Sequence, residues 1–134
     1  MEKSTFRSIA AVVAGVLAIA FVTKIVDVVL MAMGVYSGTK MDDHMALVAS
    51  SHRFFFTIAG GWLTARLAPG KPVMHAVILG AVAAVLVLPG VFTTWNSDYA
   101  PRWYLLSLAV LAIPECWLGG TLFVRSRRAE APKA

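Results

Sequence analysis

Four apolar runs divide the chain at polar turn signals. They cover residues 9–33, 44–68, 72–92 and 103–124. Each run approaches or exceeds the roughly 20 residues that a helix needs to cross the hydrocarbon core of a bilayer. Asp42 and Asp43 suit the N-terminus of the second run, Pro69 ends it, and Pro72 suits the first turn of the third. No run alternates apolar and polar residues as a half-buried strand does. The pattern predicts an all-α, four-transmembrane-helix bundle.

The composition agrees with a single integral membrane domain. The chain has 134 residues, of which 59% are hydrophobic and 14% are charged. Soluble domains carry roughly a quarter charged residues. The single cysteine, Cys116, excludes an internal disulfide and a cysteine-based metal cluster. We therefore expect residues 1–134 to form one membrane domain, with no second domain beside it.

Basic residues collect at one side of the four predicted spans. Eight of the twelve Lys and Arg residues lie there: Lys3, Arg7, Arg66, Lys71, Arg125, Arg127, Arg128 and Lys133. The positive-inside rule then predicts that both termini are cytoplasmic. A basic tail over residues 125–134 would lie against anionic head groups of the lipid bilayer. Its charge indicates topology and lipid contact rather than nucleic-acid binding.

Small residues recur at helix-packing intervals, which lets helix backbones approach closely. The candidate packing residues are Gly60, Gly61, Ala76, Gly80, Ala84, Gly119 and Gly120. The Gly-Gly pairs of the second and fourth spans, each followed by an arginine, are also compatible with two tandem helical hairpins of common origin. Shared membrane composition is the other explanation of this pattern, and the weak similarity of the two hairpins favours it. Spacing alone leaves open whether these faces pack within one chain or between copies.

Ionisable residues within apolar runs are costly in hydrocarbon, so they indicate where function or assembly resides. Lys24 and Asp27 share a helix face and can pair, or Lys24 can extend to the interface. A first helix that continues to Tyr36 would bring Asp27 to the depth of His52 and Arg53, about 12 Å from the outer end of the second helix. An Asp27–Arg53 pair would either fix helix register or contribute to transport. The predicted intramembrane polar cluster comprises Asp27, His52, Arg53 and Glu115.

Glu115 lies near the midplane of the fourth predicted span, about 18 Å from its outer start. No basic residue of the same helix lies within one turn of it. Pro114 cannot donate a backbone hydrogen bond to Val110, and this predicts a helix kink at Pro114. The carboxyl is therefore a candidate proton carrier, an interhelical hydrogen-bond donor, or the partner of Arg53 or His52.

The remaining histidines give no metal or catalytic motif. His75 is close to the cytoplasmic end of its span and fits an interfacial histidine. His44 and His52 are eight residues apart and lack the i, i+4 spacing of strong zinc motifs. No nucleophile-and-base motif or phosphate-binding loop occurs in the sequence. The sequence predicts no metal site, no cofactor and no enzyme.

The segment Gly60–Pro69, followed by His75-Ala76 and Gly80, resembles a stretch of small uncharacterised four-helix inner-membrane proteins of bacteria. The resemblance implies a multi-pass protein of the bacterial inner membrane. It implies no particular activity.

Two functions are compatible with these features. The first is a non-enzymatic accessory, assembly or interaction subunit, in a homo-oligomer or with a membrane-protein partner, because short loops accompany the small-residue faces. The second is a proton- or ion-coupled small transporter or channel with Glu115 as its titrating group. The second function requires an oligomer, because four helices rarely enclose a water-filled path.

Overall fold

The computed structural model describes residues 2–130 and is all-α, which confirms the predicted class. Its four helices are α1 (Glu2–Ala32), α2 (Asp43–Leu67), α3 (Pro72–Thr94) and α4 (Arg102–Glu130). Within the described residues, α1, α3 and α4 are long and apolar enough to cross a membrane, as in a multi-pass membrane protein. In α2 the polar run from Ser50 to Arg53 lowers the apolar character below that of the others. Met1 and the last four residues of the predicted basic tail, Lys133 among them, lie outside the described residues.

The first helix stops short of Tyr36, because the backbone turns out of the helix at Gly34. Gly34 has a φ of +75°, a left-handed conformation that glycine adopts without strain. The Gly34 and Val35 amides donate to the carbonyls of Met31 and Leu30 at 3.0 and 2.9 Å. This is the hydrogen-bond pattern of a Schellman motif. The first helix therefore does not continue to Tyr36, as the comparison of the depths of Asp27 and Arg53 required.

The two ends of the bundle differ in what they carry. One end holds residues 33–42 and 95–101, which connect α1 to α2 and α3 to α4, and we call it the two-loop end. The Met41 amide donates to the Tyr99 carbonyl at 2.8 Å and joins these two loops. The opposite end, which we call the terminal end, holds the short α2–α3 connection, the start of α1 and the end of α4.

Glycines bring α4 into backbone contact with α3. A Cβ placed on Gly80 would lie 2.7 Å from the Cα of Ile113, and one on Gly120 would lie 2.7 Å from the Cβ of Ala76. Ala76 is fully buried, whereas Ala84, on the same predicted stripe, is only half-buried. The small-residue face of α3 is therefore occupied within the chain over most of its length.

A second glycine contact joins α4 to α2. A Cβ on Gly61 would lie 2.8 Å from the Cα of Cys116, and one on Gly119 would lie 2.7 Å from the backbone nitrogen of Trp62. No side chain fits between backbones at these distances, so both positions require glycine if the helices are to keep this separation. α4 is thereby fixed between α2 and α3.

The first helix contacts α2 and α3 but not α4. Its closest approach is at Gly15, where a Cβ would lie 2.9 Å from Leu79 of α3 and would also collide with Thr64 of α2. The Thr64 hydroxyl donates to the Ala11 carbonyl at 3.2 Å. Ile19 packs over Gly60 in the same way. All these contacts lie in the half of the bundle toward the terminal end.

We expect Gly61→Ala to destabilise the protein by about 1–3 kcal/mol, because the new methyl group meets backbone atoms of Cys116 that cannot rotate away. The measurement is the thermal unfolding midpoint of the purified protein in a mild non-ionic detergent.

Gly90→Ala is the matched control, since a Cβ at Gly90 in α3 has no atom within 4 Å. Its expected effect is neutral or stabilising by up to about 1 kcal/mol, from the lower backbone entropy of alanine. Equal midpoints for the two variants would contradict the close α2–α4 contact.

Candidate functional site

Asp27 of α1 and Arg53 of α2 form an ion pair between antiparallel helices. The Arg53 Nη2 donates to the Asp27 Oδ2 at 2.7 Å. The side chains of Asp27 and Arg53 keep 23% and 30% of their exposure, so the pair is partly desolvated. Asp27 thus takes its cation from the neighbouring helix. Lys24 has no ion-pair partner among residues 2–130, and its side chain is exposed.

His52 lies on the other side of the same carboxylate. Its Nε2 is 3.2 Å from the Asp27 Oδ1, and its Nδ1 is 2.9 Å from the Val48 carbonyl oxygen. Both ring nitrogens therefore face acceptors, and only the doubly protonated ring donates on both sides. The ring also packs against Phe56, with centroids 5.7 Å apart.

Two tyrosines complete the surroundings of the ion pair. The Arg53 guanidinium lies 5.9 Å from the ring centroid of Tyr104, within cation–π range. Burial, and secondarily the charge of Asp27, raise the pKa of Tyr36 to about 12, so its hydroxyl stays protonated. Sequence reasoning missed both tyrosines as neighbours of the cluster. No local signal separates an interfacial tyrosine from one packed against a guanidinium.

Glu115 is buried on α4, with 9% of its surface exposed. The Thr57 side chain of α2 lies beside this carboxyl. No ion pair among residues 2–130 joins it to Arg53 or His52. The roles of proton carrier and interhelical hydrogen-bond donor stay predictions. α4 continues as a helix through Pro114, and a kink there stays a prediction.

Asp27, Arg53 and Glu115 line one cavity of about 690 Å³, to which all four helices contribute. This volume lies within the roughly 300–1,000 Å³ typical of small-molecule sites. Most of the wall is apolar, with Ile19 and Leu111 among its residues. His52 is not part of this wall. Three of the four residues of the predicted cluster therefore meet at one cavity.

A second cavity of about 490 Å³ extends from the ion pair toward the two-loop end. It shares Lys24, Asp27 and Arg53 with the larger cavity and is also lined by Tyr36 and Tyr104. The ion pair is therefore located where the two cavities adjoin. A ligand that reached the larger cavity from the loops would pass beside Asp27 and Arg53.

Buried polar atoms without a hydrogen-bond partner concentrate around these cavities. They are Thr23 Oγ1, Asp27 Oδ1, Tyr36 Oη, Ser50 Oγ, His52 Nε2 and Arg53 Nε. A buried polar atom without a partner costs about 1–3 kcal/mol. Five of the six residues line a cavity, and the sixth, His52, contacts Asp27. His52 Nε2 and Asp27 Oδ1 face each other at 3.2 Å, and the natural partners of the other four atoms are water or a polar ligand within the cavities.

The other ionisable residues considered from the sequence lie elsewhere. His75 is buried in the first turn of α3, with its Nδ1 3.1 Å from the Lys71 carbonyl oxygen. Asp42 caps α2 by accepting from the Met45 amide at 2.8 Å, and Asp43 accepts from the Trp103 indole at the same distance. Within residues 2–130, no group of three or more His, Cys, Asp or Glu residues is arranged to hold a metal ion.

No family model, curated protein or solved structure matches this chain. The resemblance of the Gly60–Pro69 segment to bacterial membrane proteins stays a prediction. The candidate site is accordingly defined by its own geometry.

A double-mutant cycle with Asp27→Asn and Arg53→Gln is expected to give a coupling energy of about 0.5–1.5 kcal/mol, reduced by the partial exposure of both side chains. The measurement is the free energy of unfolding of the two single variants and the double variant in detergent.

The matched cycle uses Asp27→Asn with Lys24→Gln, and its expected coupling is near zero because Lys24 makes no pair with Asp27. A larger coupling for Lys24 than for Arg53 would show that Asp27 pairs within its own helix instead.

Proposed function

We propose that this chain is a non-enzymatic, four-span protein of the bacterial inner membrane that binds a small ligand as an accessory or interaction subunit. The observation that carries the proposal is the convergence of Asp27, Arg53 and Glu115 on one largely apolar cavity. A largely apolar site with a few convergent polar groups is the usual form of a ligand-binding site. Charges in a membrane helix that face such a site generally serve function.

The helices pack closely between the cavity and the terminal end, and this favours ligand binding over conduction. Toward the terminal end, Gly15 of α1 packs directly on Thr64 and Leu79. Gly61 and Gly80 bring α4 equally close to α2 and α3. These contacts support a site that is reached from the two-loop end and that ends within the bundle.

The proposed topology has four spans and cytoplasmic termini. Basic residues mark the terminal end, among them Arg66, Lys71 and Arg125. α2 lacks a stretch as apolar as those of α1, α3 and α4, but its charge at Arg53 is neutralised inside the bundle by Asp27. Internal pairing lowers the cost of a charge at membrane depth and supports α2 as the fourth span.

A second candidate function is a proton- or ion-coupled carrier formed by an oligomer. It is favoured by the position of Glu115, which lines the same cavity as the ion pair and has no ion-pair partner among the described residues. A carboxyl in that position can exchange a proton against a ligand that enters the cavity.

Proteoliposomes distinguish the two functions. With a pH-sensitive dye inside the vesicles, we expect the proton flux of wild-type protein to equal that of protein-free vesicles. The reason is the close helix packing between the cavity and the terminal end. A wild-type flux that Glu115→Gln abolishes and Lys40→Gln retains would replace the binding function with the carrier.

Cysteine labelling tests the topology. In a Cys116→Ala background, a membrane-impermeant maleimide should label Ser37→Cys and Ser97→Cys in intact cells. Gly70→Cys and Ser126→Cys should react only after permeabilisation, and all four positions are exposed in the structure. Labelling of Ser37→Cys and Gly70→Cys from the same side would show that α2 does not cross the membrane.

A further inference from the structure

We propose that the 690 Å³ cavity binds a single-chain amphiphile with one anionic head group, of the fatty-acid type, with the head group at Lys24 and Arg53. This inference rests on the proposed binding function and names the class of its ligand.

The polar end of the cavity offers hydrogen-bond donors without acceptors. Thr23 is 9% exposed, yet its hydroxyl has no hydrogen-bond partner. The Ser50 hydroxyl and the Arg53 Nε are likewise buried and unpaired, and all three residues line the cavity. Arginine Nε donates only, and both hydroxyls can donate. The ligand atoms that suit this set are the oxygens of a carboxylate or phosphate.

The charge balance at this end also favours an anion. Lys24 and Arg53 supply two positive charges and Asp27 supplies one negative charge, so the balance is 2 − 1 = +1 with His52 neutral. Because the Asp27 carboxylate is already occupied by Arg53 Nη2, the Lys24 ammonium and Arg53 Nε stay available for one external anion. A cationic ligand would add to an excess of positive charge.

The rest of the cavity suits an uncharged chain. Asp27 is about 8 Å along α1 from the two-loop end of that helix, whereas Glu115 is about 20 Å along α4 from its start. Between these depths the wall includes Ala20, Leu108 and Leu111. A second anionic group at the far end would meet the Glu115 carboxyl and no base. The site therefore selects one head group and an apolar tail over a dicarboxylate.

The test is saturable binding of radiolabelled dodecanoate to the full chain in phosphatidylcholine nanodiscs, compared with empty nanodiscs. We expect one site per chain, displaced by unlabelled dodecanoate. Methyl dodecanoate and dodecylamine, which lack the anion, should not displace it. Butyrate, which keeps the carboxylate without the long tail, should not displace it either.

Variants locate the site. Thr23→Val keeps the side-chain shape and removes an unpaired hydroxyl, so stability should stay equal or rise while the Kd for dodecanoate weakens about tenfold. Lys24→Gln should weaken the Kd by a similar factor. Lys40→Gln is the matched control, since Lys40 is an exposed lysine near the two-loop end that lines neither cavity, and it should leave the Kd unchanged.

Any of three results overturns the proposal: no saturable binding, equal displacement by the methyl ester or the amine, or a Kd that Thr23→Val and Lys24→Gln leave unchanged. Displacement by butyrate as effective as that by dodecanoate would also overturn it, in favour of a site for small free anions. These failures are separate from that of the proposed function. The binding function itself fails if wild-type flux requires Glu115 or if labelling contradicts the four spans.

Discussion

The ion pair between Asp27 and Arg53 determines how the first helix joins the bundle. α1 makes no contact with α4, so its position depends on α2 and α3 alone. Near the terminal end it is fixed by Gly15 against Thr64 and Leu79. Near the two-loop end the 2.7 Å pair to Arg53 joins it to α2. Because a partly buried charge without its partner is costly, neither helix can move away from the other without leaving one charge unpaired.

The cavity results from an uneven distribution of small residues along the helices. Glycines at positions 15, 60, 61, 119 and 120 let backbones touch in the half toward the terminal end. In the other half α2, α3 and α4 pack through Ala49, Val91 and Leu105, and the larger cavity opens beside charged and hydroxyl-bearing residues of α1 and α2. Packing cannot be close around Asp27, Arg53, Thr23 and Ser50, because their polar atoms need partners that aliphatic neighbours do not supply. Close packing is therefore interrupted where these polar groups line the cavities.

Much of the candidate site followed from the chemistry of single residues. A charge within an apolar run is informative without any structure, and this identified Asp27, Arg53 and Glu115 before their convergence was visible. The end of α1 was harder to predict from the sequence. The comparison of the depths of Asp27 and Arg53 took the helix as far as Tyr36, whereas the chain leaves the helix at Gly34. The sequence could not show which cation pairs with Asp27. Lys24 and Arg53 were both available to Asp27, and only the three-dimensional arrangement assigns Arg53 and leaves Lys24 facing a cavity.

The sequence by itself determined the all-α class, three apolar helices of membrane-spanning length and the presence of costly charges within them, because these depend on local periodicity and on transfer free energies of individual side chains. The tertiary structure decided which groups meet. Tyr104 under Arg53, Thr57 beside Glu115 and Thr23 at the cavity wall are neighbours across different helices. Such neighbours depend on helix rotation and separation, which the glycine contacts and the ion pair set together and which no local pattern specifies.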